Sequence, residues 1–214
     1  MSRDAFVARA DKTPYQVRTR TCTAADARAL DVSWTPVFER GPRSWLDRDW
    51  RRGGLDAPTE LAFRVNPAWA VMTDEVEPDA QGDLLGVLVT TGPIAVRTAG
   101  LDVEVVGEEP VVWVEYIAIA PGLRPDCPPL DQRKILLKGV GPALMLCAIE
   151  RSIALGCNGR IGLHAEGPVA QAAYLKWKMR PLPEAPHPAG GSFPVFLGDA
   201  DWAREFRSER EERR

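Results

Sequence analysis

The stretch LLKGVGPALMLCAIERSIALG, residues 136–156, sets two glycines, a lysine and a proline at the mouth of a long apolar run. Gly139 and Gly141 free the backbone of side chains just before Pro142, whose fixed φ suits a first helical position, and Gly156 closes the run. A helix start leaves N–H groups without acceptors and a partial positive charge facing outward, and upstream glycines let a phosphate approach those amides closely. Lys138 adds a full charge beside it. The chemistry indicated is anion binding, weighed against the plain tight turn that the same glycines also make. Two other side chains need a reason. Glu115 stands in the apolar segment VVWVEYIAIA, where the two-residue period of a strand puts it on one face with Trp113, Ile117 and Ile119. A carboxylate there serves as a base, holds a cation or pairs with an arginine. His164, at the end of GRIGLHA, is a second base candidate or a structural strand histidine.

The elements that position these groups follow from pattern. Residues Met1 to Pro14 read as a loose arm; Tyr15 to Thr21 alternates as a strand, and Thr23 caps a short helix. In GPRSWLDRDWRRGG, Trp45, Asp47 and Trp50 suggest a second short helix, its tryptophans lining a pocket or anchoring it to a sheet. The segments Ala68 to Thr73, Leu84 to Thr91 and Val111 to Ala120 read as neighbouring strands. Within residues 92–110, AVRTA and DVEVV extend the flanking strands as a protruding hairpin, and the proline-heavy residues 121–137 form a loop that is a candidate cover. Beyond the central helix come a buried strand from Gly159 to Ala165 and a helix from Val169 to Lys178. A proline-rich turn (RPLPEAPHPAGG), a strand (SFPVFLG) and a charged helix from Ala200, with Trp202 and Phe206 spaced for packing, complete the chain. No repeat or linker divides residues 1–214, which read as a single domain.

Composition narrows the partners. An apolar content of 45% is that of a folded domain, and a net charge of −3 carries no basic footprint for nucleic acid or an anionic membrane. Cys22, Cys127, Cys147 and Cys157 form no CxxC pair, and with His164 and His187 they make no zinc spacing, so no metal is expected. Cys147, within the apolar helix, reads as a buried thiol, and a reducing cytoplasm is the simplest setting. The N-terminal residues lack the apolar core of a signal peptide, and no run is long enough to span a membrane.

The order of strand, glycine loop, helix, strand and tyrosine-bearing helix resembles the GCN5-related N-acetyltransferase superfamily. That family's signature is Gln or Arg, two residues, Gly, one residue, then Gly or Ala; here Leu136 takes the first place, a departure, with Gly139 and Gly141 in the others. VEYIAIAP resembles the family's fourth strand with its ending at Ile119, Ala120 and Pro121. AQAAY, residues 170–174, resembles the family's Ala-x-x-x-Tyr, while Lys178 and Met179 replace the usual Gly-Phe and Gly167 replaces an Asn. The likeness is good from Val111 to Met179 and faint before Ala68.

The resemblance implies an α/β (α+β) acyl-CoA N-acyltransferase fold: a mixed, mostly antiparallel sheet splayed at the fourth strand and flanked by helices. It implies acetyl-CoA as acyl-donor cosubstrate, held by Ile117, Ala118 and Ile119 of the strand and by Lys138, Gly139, Val140, Gly141, Ala143 and Leu144 of the loop and helix. Pro142 offers no amide to that cradle. By the same resemblance Tyr174 is the general acid for the departing thiolate, against a buried structural tyrosine; the base that takes the amine's proton is Glu115, His164 or water. The implied reaction is N-acetylation of a primary amine, on a small molecule or a protein, by direct attack in a ternary complex. A homodimer is left open. A silent acyl-CoA-binding or assembly module, and transfer of a longer chain or to an alcohol, are the alternatives.

Overall fold

The computed structural model describes residues 3–8, 14–22, 34, 68–73, 84–96, 106–120, 138–165, 167–186 and 192–212. Its strands are β1 (Arg3–Ala8), β2 (Pro14–Thr21), β3 (Ala68–Thr73), β4 (Leu84–Ile94), β5 (Val111–Ile119), β6 (Ile161–His164), β7 (Arg180–Pro186) and β8 (Ser192–Gly198). Its helices are α1 (Val140–Ala154), α2 (Pro168–Lys176) and α3 (Ala200–Glu211). Hydrogen bonding orders the strands β1-β2-β3-β4-β5-β6-β8-β7. β5 and β6 run parallel, whereas β1/β2, β2/β3, β3/β4, β6/β8 and β7/β8 are antiparallel. This is the mixed, mostly antiparallel sheet that the sequence led us to expect.

Contacts divide the chain into two units, one of Met1–Arg51, Ala57–Val89 and Tyr116–Cys147, the other of Arg52–Asp56, Thr90–Glu115 and Ala148–Arg214. In the first, β1 pairs with β2 from Arg3↔Thr19 to Ala8↔Pro14, so the expected loose arm contains a strand. Nothing in RDAFVA announces it; the backbone donors and acceptors of β2's edge supply the reason. β4 carries Val87, Leu88 and Val89 without exposed surface, and Gly86 among them lets the start of α1 approach.

In the second unit the insertion between β4 and β5 does not prolong both strands. β4 stops at Ile94, Val106 is helical, and Val96 and Val106 are buried in one cluster with Val111, Trp113, Val195 and Leu197. Their apolar side chains gain more from that cover than from a protruding hairpin. Arg160 fixes the return, donating from Nη1 to Glu109 at 2.9 Å and from Nη2 to the Val106 carbonyl at 3.0 Å. The expected proline-rich turn is β7, paired with β8 with a register shift between Leu182 and Glu184. A terminal strand of the sheet tolerates prolines because an edge needs fewer N–H donors, and Pro183 falls within the shift. Trp202 and Phe206 are buried on α3 as their spacing indicated, and Asp199 caps that helix by accepting from Trp202 N at 2.9 Å.

The short helix after Thr23, the helix at Trp45 to Trp50, and residues 121–137 with Leu136 among them lie outside the described residues. Trp34 is described, and is buried. Among the described residues no helix is long and apolar enough to cross a membrane, and no group of His, Cys, Asp or Glu is placed to hold a metal ion.

Candidate active site

The glycine loop opens α1 earlier than its sequence suggests. Val140, not Pro142, is the first helical residue, and Gly139 precedes it with φ 106°, a conformation that side-chain-bearing residues rarely adopt. Pro142 is therefore third in the helix, where the fixed ring is still tolerated because no N–H is required there. Ala143 N donates to Gly139 O at 3.0 Å, closing the first turn, so the Ala143 amide is engaged within the helix. The amides of Gly139, Val140 and Gly141 precede that bond and, by helix geometry, have no acceptor in their own helix. With Lys138 they make a smaller set than the loop and helix residues that the resemblance implies. Its composition fits an anion: three amides at the positive end of a fifteen-residue helix, with Lys138 exposed beside them.

Gly86 shows what holds the helix there. A Cβ built on it would lie 2.7 Å from Val140 Cγ1, 2.9 Å from Leu144 Cδ1 and 3.3 Å from Ala118 O. Three residues expected at the cofactor, Ala118, Val140 and Leu144, are thus brought together around one missing side chain. The backbone agrees, with Ala120 N donating to Leu85 O at 2.9 Å. Gly86 was not singled out from sequence, although a lone glycine inside an apolar strand is the mark of close approach. Gly86→Val should push α1 off the strand, costing about 1–3 kcal/mol. Thermal melting checks this, with a Tm fall of roughly 2–10 °C expected for a chain of this size.

The parallel ladder of β5 on β6 comprises Val112↔Ile161, Trp113↔Gly162 and Val114↔Leu163, and stops at the strand where the splay is expected. β5 runs on to Ile119, and burial changes at the same point: Val111 to Val114 are buried, Glu115, Tyr116 and Ile117 half-buried. Ile119 is half-buried and Ala118 buried.

The acid and base candidates lie in the second unit. Tyr174 is the one buried residue of α2, 5% exposed, with ring contacts to Trp177 at 5.6 Å and Phe196 at 5.4 Å. Gly167, in the place of the family's Asn, is an extended N-cap without a side-chain bond, and Pro168 starts the helix. His164 is half-buried and meets the Trp113 indole edge-on at 5.1 Å. Trp113 reaches it by lying across Gly162, whose Cβ would fall 2.5 Å from the indole. Trp113 and Gly162 are supports that the sequence reading missed; the glycine inside IGLH was their signal. Cys157 is buried, and that burial pushes its thiol's pKa up, only partly opposed by the charge of Arg160. Burial thus disfavours its thiolate form.

No protein-family model matches the sequence, and no curated protein matches it. Solved structures do match the fold. A Corynebacterium glutamicum protein described as histone acetyltransferase HPA2 and related acetyltransferase is 18% identical, with 85% of this chain and 94% of that one covered and a TM-score of 0.50. NAA60 of Arabidopsis thaliana with a bisubstrate analogue is 15% identical, covering 85% and 97%, at a TM-score of 0.54. The polyamine N-acetyltransferase of Drosophila melanogaster, which catalyses the formation of N-acetylagmatine, is 12% identical, covering 86% and 99%, at 0.52. Identities this low speak to architecture alone, and in architecture the chain is one of the GCN5-related N-acetyltransferase fold.

Proposed function

We propose that the protein is an acetyl-CoA-dependent N-acetyltransferase that acts on a primary amine by direct attack in a ternary complex. The observation that carries the reading is the glycine-led start of α1, held by Gly86 against β4 and the Ala118 backbone of β5. A ligand with a pyrophosphate at one end and an extended amide arm at the other suits a helix start beside a strand edge. The fold's likeness to NAA60 of Arabidopsis thaliana in complex with acetyl-CoA adds support. Gly139, Val140 and Gly141 would hold the pyrophosphate by their amides and Lys138 by charge, with Ile117, Ala118 and Ile119 along the arm. Ala143 and Leu144 contribute by anchoring the helix. Residues 1–214 are read as a single domain.

Acetyl-CoA supplies an activated acyl group when bound. The chain's own part is to position the amine, accept its proton and return one to the leaving sulfur. Glu115 takes the proton, directly or through water, and the Tyr174 hydroxyl donates to the thiolate. Similar folds with agmatine or polyamines as acceptors make a cationic amine a sensible first choice. The test is CoA release by purified protein supplied with acetyl-CoA and pools of amines. Release that requires an amine supports transfer, whereas binding of CoA with no release under any amine supports a silent module.

Glu115→Gln separates the roles of that carboxylate. As base, it lowers kcat about 10-fold to 100-fold, partly relieved at high pH, where more of the amine is already neutral. A change confined to the KM of the amine would instead assign Glu115 to binding the ammonium. If both parameters match wild type across pH, the base is His164 or water.

A further inference from the structure

We propose that α3 is a positioning element for Tyr174, acting through Trp177, Trp202 and Lys178; the proposal rests on the acid role given to Tyr174 above. α2 has nine residues and a single buried side chain, too little to fix a catalytic group on its own. What fixes it comes after its end. Trp202 Nε1 donates to the Trp177 carbonyl at 2.7 Å, satisfying one of the acceptors that a helix C-terminus leaves open. The Trp177 ring meets Tyr174 at 5.6 Å on one side and Phe206 of α3 at 6.1 Å on the other. Trp202 and Phe206 lie against each other at 4.9 Å, so backbone bond and ring contact come from one rigid patch of α3.

Lys178 adds a second tie. It stands where the resemblance expects glycine and keeps a left-handed backbone, φ 63°, that a glycine would adopt without steric cost. Its Nζ donates to the carboxylates of Glu205 and Glu209, the latter at 3.0 Å. These bonds, that to Glu205 first, raise the pKa of Lys178, and Lys178 lowers that of Glu209, so the pairing is between charged groups at neutral pH. A glycine offers no such link. A strained lysine in that place makes sense as a latch between the end of α2 and α3. Met179 N, which donates to Tyr174 O at 3.1 Å, carries the same restraint back to the tyrosine's own peptide. Movement of α3 therefore moves Trp177 and the phenol together, and a shift of an ångström matters where positioning supplies much of the rate.

The experiment uses the full chain labelled with 3-fluorotyrosine, which reports on Tyr15, Tyr116 and Tyr174 at once. Tyr174→Phe assigns the resonance. Trp202→Phe removes the donor and keeps a ring over Gly198; Glu205→Gln with Glu209→Gln weakens the latch by removing both negative charges opposite Lys178. In Trp202→Phe the Tyr174 resonance should move or broaden while those of Tyr15 and Tyr116 stay. With the amine found by the CoA-release screen, kcat should fall about tenfold at unchanged KM for acetyl-CoA, a loss that disappears in a Tyr174→Phe background. The double glutamine variant should shift the same resonance by less. An unmoved Tyr174 resonance in both variants overturns the proposal, as does a Trp202→Phe loss that persists in full without the Tyr174 hydroxyl. Should the wild type acetylate no amine at all, the resonance alone decides the positioning, and it is the acyl-transfer reading that fails.

Discussion

Exchanging Gly139 for glutamate weakens CoA binding by about 100-fold, measured by calorimetry, because charge-assisted bonds to the cradle amides are worth about 1.5–3 kcal/mol each. Three effects converge on this residue. Its φ of 106° resists any Cβ, the added side chain fills the space before α1, and its carboxylate repels the phosphates that the amides attract. Gly139→Ala separates them, carrying the strain without the charge, and should lose less than about tenfold. An acidic residue near a helix start favours the helix itself, so circular dichroism of the glutamate variant should remain near that of wild type. Wild-type affinity in a folded Gly139→Glu protein would put the phosphates elsewhere.

Tyr174→Phe lowers kcat by about 100-fold, the usual worth of a positioned proton donor, and leaves acetyl-CoA affinity unchanged. The phenylalanine ring keeps the packing against Trp177 and Phe196, so the variant removes a hydroxyl from a side chain that is already 5% exposed. A buried polar group deleted in this way costs about 1 kcal/mol, small beside the kinetic effect. Unchanged kcat on the true acceptor, with chemistry shown to limit the rate by single turnover, would leave Tyr174 as part of the core and nothing more.

Legibility in the sequence follows how local the physics is. β2, β3, β5, β8 and α3 stand close to where alternation and helical spacing put them, because each carries its apolar pattern within its own sequence. β1 and β7 do not: the first has little apolar pattern and the second has Pro181, Pro183 and Pro186, and both are strands because a neighbour's backbone accepts them at the ends of the sheet. α1 starts two residues before Pro142, which has the character of a first helical residue, and Val140 packs at Gly86 in a contact that no window of sequence contains. At the candidate site the glycine loop is legible as spacing, and Tyr174 enters through the family resemblance. The supports are not legible there. Gly86 with Ala118, Trp113 across Gly162, and Trp202 on the Trp177 carbonyl join residues 25 to 49 positions apart, and such pairs leave only a glycine or a tryptophan as their trace.

The central claim is tested most directly by incubating the protein with acetyl-CoA labelled in the acetyl carbons and a pool of amines, and reading every species by mass. Transfer predicts one acceptor gaining a single labelled acetyl group in step with the CoA formed, with both products lost together in Gly139→Glu. CoA appearing with labelled acetate and no acetylated amine, or no CoA appearing at all, would contradict it.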